Sequence, residues 1–122
     1  MAKVQLLKMQ GRELQQRVEV TVADGFWSRA LGLLPRKSLP SHSALLIIPC
    51  KDVHTWFMRF GIDVLFLDKN NKIIGIKENV LPYRFVLGPK GTANVLEMAA
   101  NAAALHKLNL NDTLVFGSLG GL

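Results

Sequence analysis

With 122 residues, 49% of them hydrophobic, the chain has the length and apolar content for one domain around a single modest core, which excludes a disordered segment. One cysteine excludes an intramolecular disulfide framework and a multi-cysteine zinc site, and its free thiol fits a reducing, cytoplasmic setting. The formal charge of +6 admits an anionic partner, but only Arg36 and Lys37 are adjacent basic residues, and no basic block, RNA-binding motif or recognition helix appears, so nucleic acid is not the expected partner.

Lys3 to Met9 places Val4 and Leu6 on one face of a strand, and Gly11-Arg12 forms a turn. Glu13 to Val22 resumes the alternation through Val18, Val20 and Val22, which predicts an antiparallel pair with one buried face. The opening residues alternate polar and apolar, so neither a signal peptide nor a membrane anchor is expected there. Asp24 reads as a helix N-cap, with Phe26, Trp27, Ala30, Leu31 and Leu34 at helical spacing until Pro35 ends the ladder. Gly32 inside that helix implies close approach of another backbone.

Ala44 to Ile48 is a short, continuous apolar run, predicted as a strand buried on both faces. The apolar run from Ala44 to Pro49 falls far short of the roughly 20 residues of a membrane helix, so no membrane segment is expected. His54 to Arg59 and Ile62 to Leu67 read as strands about a bend at Gly61. Asp68 to Asn71 is a hairpin turn, and Lys72 to Val80 returns until Leu81-Pro82 breaks it. A second turn at Pro89-Lys90-Gly91 precedes a strand from Ala93 to Met98. Ala99 to Leu108 reads as an alanine-rich helix, and Asn111-Asp112 turns into a last strand from Thr113 to Phe116. The sum is a mostly β fold, a compact antiparallel β-barrel or sandwich of about eight strands with two short helices. One domain is expected over residues 1–116, with a flexible tail at 117–122.

The segment from Pro49 to Asp68 gathers the most versatile chemistry, with Cys50, His54, Met58 and Asp63 close together in sequence. Sulfur and imidazole form a soft ligand set suited to copper. A blue-copper centre would need a second histidine, from His42 or His106, and carries its ligand loop near the C-terminus rather than in mid-chain. Cys50 and His54 alternatively form a nucleophile and base, with Asp52 or Asp63 nearby as an orienting group. The plainer reading makes Met58 and Cys50 apolar filling and His54 a structural histidine. Arg29 is placed to bind an anion or to pair with Asp63 or Glu97. Alternation sets Glu97 on the face opposite Leu96 and Met98, and solvent exposure or a structural ion pair is the expectation ahead of an acid/base role, because an unpaired buried carboxylate is costly.

Taken together, Arg29 with Gly32-Leu33, Arg36 and Leu39, then Met58, Ile62-Asp63, Phe66 and Asp68, then Pro82, Val95-Leu96-Glu97 and Asn111-Asp112 resemble the DUF192 family over about Val18 to Phe116. Many members carry a phenylalanine-tryptophan-methionine-lysine-asparagine-threonine run where this chain has His54-Thr55-Trp56-Phe57-Met58-Arg59, a variant branch with Cys50 and His54-Thr55 ahead of the methionine. The resemblance implies a small, mostly β domain with short helices and no established activity. The expected function is a non-catalytic binding or accessory domain for a small ligand or protein partner. Arg29, Arg36, Cys50, His54, Met58, Asp63 and Glu97 are its candidate contacts, with no catalytic residue, metal or cofactor assigned. The alternative is an enzyme or metal protein using Cys50 and His54, with Met58 as a soft ligand.

Overall fold

A computed structural model describes residues 2–9, 12–25, 38–56 and 58–118. Among them, nine strands run as β1 (Ala2–Met9), β2 (Arg12–Ala23), β3 (Ser43–Ile47), β4 (Asp52–His54), β5 (Ile62–Leu67), β6 (Ile73–Val80), β7 (Phe85–Leu87), β8 (Asn94–Ala99) and β9 (Leu114–Ser118). One helical turn, α1 (Ala102–Leu105), lies between β8 and β9. Seven strands form a sheet in the order β6-β5-β8-β3-β2-β1-β9, and β4 pairs with β7 in a separate ribbon.

The valines of β2 set the first register. Val20 stands opposite Val4 and Val18 opposite Leu6, and β9 adds to the other edge of β1. All the strand pairings are antiparallel but one. β3 lies parallel to β2, a pairing that requires a crossover connection rather than a tight hairpin. The helix expected from Asp24 to Leu34 falls on that connection, and residues 26–37 lie outside the described residues.

In the middle of the sheet, β5 is buried at every position and β3 and β8 at nearly every one, which is why their sequences run apolar without alternating. Val20, Leu46, Leu65, Leu67, Leu96 and Met98 pack on one face under Ala102 and Ala103 of α1. Leu45, Ile47, Ile62, Val64, Phe66 and Val95 pack on the other with Val53 of the ribbon and Met58. Each fully buried large side chain contributes about 1.5–3 kcal/mol, so these two layers carry the stability of the fold.

The outer strands β6 and β9 meet at one end. Lys72 bridges Thr113, Ile73 N–H donates to Asp112 O at 2.8 Å, and Leu114 N–H donates to Asn71 O at 2.9 Å. The sheet therefore curls into a sandwich-like β fold. The Asp68–Asn71 hairpin forms as expected, with Asp68 Oδ1 accepting from Asn70 and Lys72 N–H and Asn71 at φ 65°.

Two expectations are corrected, and two strands go beyond what the pattern showed. The strand read over His54 to Arg59 stops at His54, because Thr55 turns the chain by bonding to the far side of the ribbon. The ten-residue helix shrinks to the four residues of α1, bounded by Asn101 at φ 72° and Lys107 at φ 56°. Alanine propensity supports a longer helix, but the left-handed residues at both ends and the Asp63 cap at its start confine it to one turn. β7 is a strand that the sequence analysis left unassigned. β9 also continues through Gly117 and Ser118, which pair with Gln5 and Val4.

Candidate functional site

The residues expected to form one site are distributed over three places. Glu97 sits in β8 between Leu45 of β3 and Val64 of β5, so it points to the face that carries Phe66, Met58 and Val95. Alternation did put it opposite Leu96 and Met98. That second face is covered as well, and Glu97 is only 4% exposed, which corrects the expectation of solvent exposure. Burial disfavours the charged carboxylate and pushes its pKa up from 4.5 to about 7. Met58 is buried on the same face, and Cys50 packs partly buried against it. Arg29 and Arg36 lie outside the described residues.

Asp63 points to the opposite face, opposite Met98 in register. It is fully buried, and its two oxygens accept three backbone N–H groups. Oδ1 takes Asn79 N–H at 2.9 Å and Asn101 N–H at 3.2 Å, and Oδ2 takes Ala103 N–H at 3.0 Å. This carboxylate caps α1 from across the sheet, because Asn101 provides no side-chain cap. Asp63 is thereby a structural residue that ties β5, the β6 bulge and α1 together.

His54 is the exposed end of β4. Cys50 Sγ donates to Asp52 O at 3.1 Å, and Cys50 N–H donates to Ala93 O at 2.9 Å. The thiol is thus engaged with the local backbone of β4 in a partly buried residue, while His54 is exposed. His106, weighed as a distant copper ligand, is buried with Nε2 at 2.7 Å from Ser41 O. Among the described residues, no group of three His, Cys, Asp or Glu side chains is arranged to hold a metal ion.

What the Pro49–Asp68 segment does build is the β4–β7 ribbon. Thr55 is its hinge pin, fully buried. Its hydroxyl donates to Leu81 O at 2.7 Å and accepts Arg84 N–H at 2.8 Å, while its backbone N–H donates to Arg84 O at 2.8 Å. Its carbonyl accepts Tyr83 N–H at 2.9 Å and Met58 N–H at 3.2 Å. At the other end, Asp52 Oδ1 accepts Gly88 N–H at 2.8 Å. Gly88 is required there, since a Cβ would collide with the Lys51 carbonyl and crowd Phe66 and Thr92, each 2.9 Å away.

Val53 is the ribbon's anchor in the core, and on the outward side Phe85 and Leu87 stand opposite His54 and Asp52. Five of the seven exposed large hydrophobics of the described residues belong to the ribbon and its flanks, Trp56, Leu81, Tyr83, Phe85 and Leu87. Phe85 is 60% and Leu87 67% exposed. Trp56 stands edge-on to Tyr83, ring centroids 5.7 Å apart. Beside this patch lies a groove of about 600 Å³ lined by Lys77 to Leu81 and by Arg84 to Leu87. The signal for it was present in Tyr83 to Leu87, where apolar residues recur at period two after Pro82, but the run is too short to stand out.

Comparison with known proteins matches the chain to the model of DUF192, described as Uncharacterized ACR, over residues 6–116. A UPF0127 protein of Pyrococcus furiosus is 34% identical over 103 residues, covering 72% of this chain and 84% of the relative. Another, from Pyrococcus horikoshii, is 33% identical over 92 residues, covering 71% of this chain and 76% of the relative. Two crystal structures share the fold. A Sinorhizobium meliloti protein, provisionally designated a transcription regulator, superposes with a TM-score of 0.80 at 22% identity, over 93% of this chain and 92% of its own. A protein of unknown function from Novosphingobium aromaticivorans superposes with a TM-score of 0.76 at 19% identity, over 93% of this chain and 83% of its own. Identities at that level carry the fold alone.

Proposed function

The chain belongs to the DUF192 family, and from that premise of a shared fold without a stated activity we propose that it is a non-catalytic binding domain whose partner surface is the β4–β7 ribbon. The carrying observation is the patch of Trp56, Leu81, Tyr83, Phe85 and Leu87 beside an open groove. Contiguous exposed apolar surface is unfavourable in water and is characteristic of interaction sites. Aromatic side chains are the usual anchors of such sites.

This reading keeps the Cys50–Met58 segment at the site, with the emphasis moved to its exposed members, His54 and Trp56. Met58 lies in the core that Val53 enters, and Glu97 sits in β8 on the same face between Leu45 and Val64. The partner is a small ligand or a protein segment rather than nucleic acid, and the protein acts in the cytoplasm, where its thiol suits the redox state. Among the described residues, no helix is long and apolar enough to cross a membrane.

Backbone NMR of the full chain with a set of small aromatic fragments tests the assignment. Perturbed amides should cluster at Trp56, Tyr83 to Leu87 and Lys77 to Leu81. Perturbations centred on Cys50 without Tyr83 to Leu87, or scattered over the sheet, would contradict it.

A further inference from the structure

Building on the ribbon as a binding surface, we infer that its partner is an extended, acidic and apolar peptide segment that adds as a strand to the free edge of β7. Thr55 N–H donates inward to Arg84 O, which fixes the phase of the antiparallel ribbon. Residues in such a pair alternate between bonding their partner and pointing away from it. Arg84 and Val86 bond inward, so Phe85 and Leu87 direct their N–H and C=O groups outward. β4 occupies one edge of β7, and no strand among the described residues occupies the other.

The groove lies at that edge. Arg84, Phe85, Val86 and Leu87 all line it, although consecutive side chains of a strand point to opposite faces. A surface that touches all four meets the strand's edge rather than one of its faces. Lys77 to Leu81 line the opposite wall in the same consecutive way. The space therefore suits an extended backbone, with main-chain bonds for affinity and side chains read by Phe85 and Leu87.

Edge strands are commonly blunted by shortness, charge, proline or a bulge, and β7, although only three residues long, carries no charge, proline or bulge in Phe85-Val86-Leu87. An apolar, unpaired edge of this kind calls for an occupant. Charge selects which one. The groove holds Lys77 and Arg84 against a single acid, Glu78, and the chain as a whole carries +6. Acidic residues on the peptide gain from this field. A second copy of the chain would set Lys77 and Arg84 against their own images. A nucleic-acid strand would find apolar walls at Val80, Leu81 and Leu87 where its phosphates need donors.

The test starts from a displayed library of random peptides of about twelve residues, selected on the full chain. Enriched peptides are synthesised and measured by fluorescence anisotropy against the wild type, Phe85→Ser/Leu87→Ser and Lys77→Glu/Arg84→Glu, with thermal unfolding of each variant. A version methylated on alternate backbone nitrogens and a labelled oligothymidylate serve as the other probes. The expected winners alternate apolar and acidic residues. Each variant should weaken them at least about tenfold, and so should backbone methylation, which leaves the protein untouched and does not depend on how the variants fold. Enrichment of ribbon-dependent peptides that are basic, or indifferent to methylation, would overturn strand addition and leave the ribbon as a binding surface. Oligothymidylate binding that depends on Phe85, with no peptide enriched, would replace the peptide by nucleic acid. Concentration-dependent dimerisation through β7, with no peptide enriched, would replace it by a second copy. Failure of every probe to depend on Phe85 and Leu87 would overturn both the inference and the surface.

Discussion

Glu97 is the residue whose environment departs most from its chemistry. A carboxyl held at a pKa of about 7 is bound to its proton in the folded state over a range where the unfolded chain has lost it. The folded state then binds more protons than the unfolded one, and stability falls as pH rises from about 4.5 through about 7. The shift corresponds to roughly 3 kcal/mol at higher pH, a large share of a small domain's stability. Glu97→Gln should therefore raise the melting temperature at pH 8 and change it little at pH 4.5. Equal effects at both pH values would remove burial of this carboxyl as the cause.

Asp63 has a structural role, its two oxygens filled as acceptors by Asn79, Asn101 and Ala103 N–H. Asp63→Ala leaves the buried Ala103 N–H and the part-buried Asn79 and Asn101 N–H groups without this acceptor and should cost about 3 kcal/mol, read by denaturant unfolding. A loss below about 1 kcal/mol would mean that α1 finds another cap. Neither role was legible in the sequence. Asp63 and Glu97 both sit in apolar runs, and nothing in a one-dimensional pattern tells a capping acid from a strained one.

Among the elements, the ribbon shows how far side-chain bonding can override a strand pattern. His54 to Arg59 has the composition of a strand, yet Thr55 ends it by serving Leu81, Tyr83 and Arg84 at once. Thr55→Val keeps the shape and removes the hydroxyl, leaving Arg84 N–H and Leu81 O unsatisfied. A cost of about 1–3 kcal/mol is expected. Amide exchange at Tyr83 to Leu87 should quicken more than in β5 or β8, and uniform quickening across the sheet would argue against a separate ribbon unit. Gly88→Ala should loosen the same unit from the other end, by about 1–3 kcal/mol, because a Cβ there meets the Lys51 backbone. The strands with clear signals, β2, β3, β5 and β8, were readable from valine alternation or continuous apolar runs. β7 was not, since three residues contain too little pattern, and α1 was overread because alanine content says nothing about the left-handed turns at Asn101 and Lys107 that bound it.

At the scale of the molecule, the class of fold was open to reading from the number of short strands and the turn residues between them. The parallel β2–β3 pair was not, because it depends on where a connection travels rather than on what the paired residues are. Of the proposed site, the Pro49–Asp68 segment stood out by its chemistry, which pointed to Cys50 and His54, whereas the exposed apolar side chains are Trp56, Tyr83, Phe85 and Leu87, three of them in a run too short to stand out. The account rests on those exposed side chains serving a partner rather than the fold. The most direct measurement is thermal unfolding of Phe85→Ser/Leu87→Ser, paired with the aromatic-fragment titration. The account predicts a melting temperature within about 2–4 °C of the wild type, as for a surface change below about 1 kcal/mol, together with loss of the fragment-induced shifts. A collapse of the melting temperature, or shifts that survive the substitutions, would contradict it.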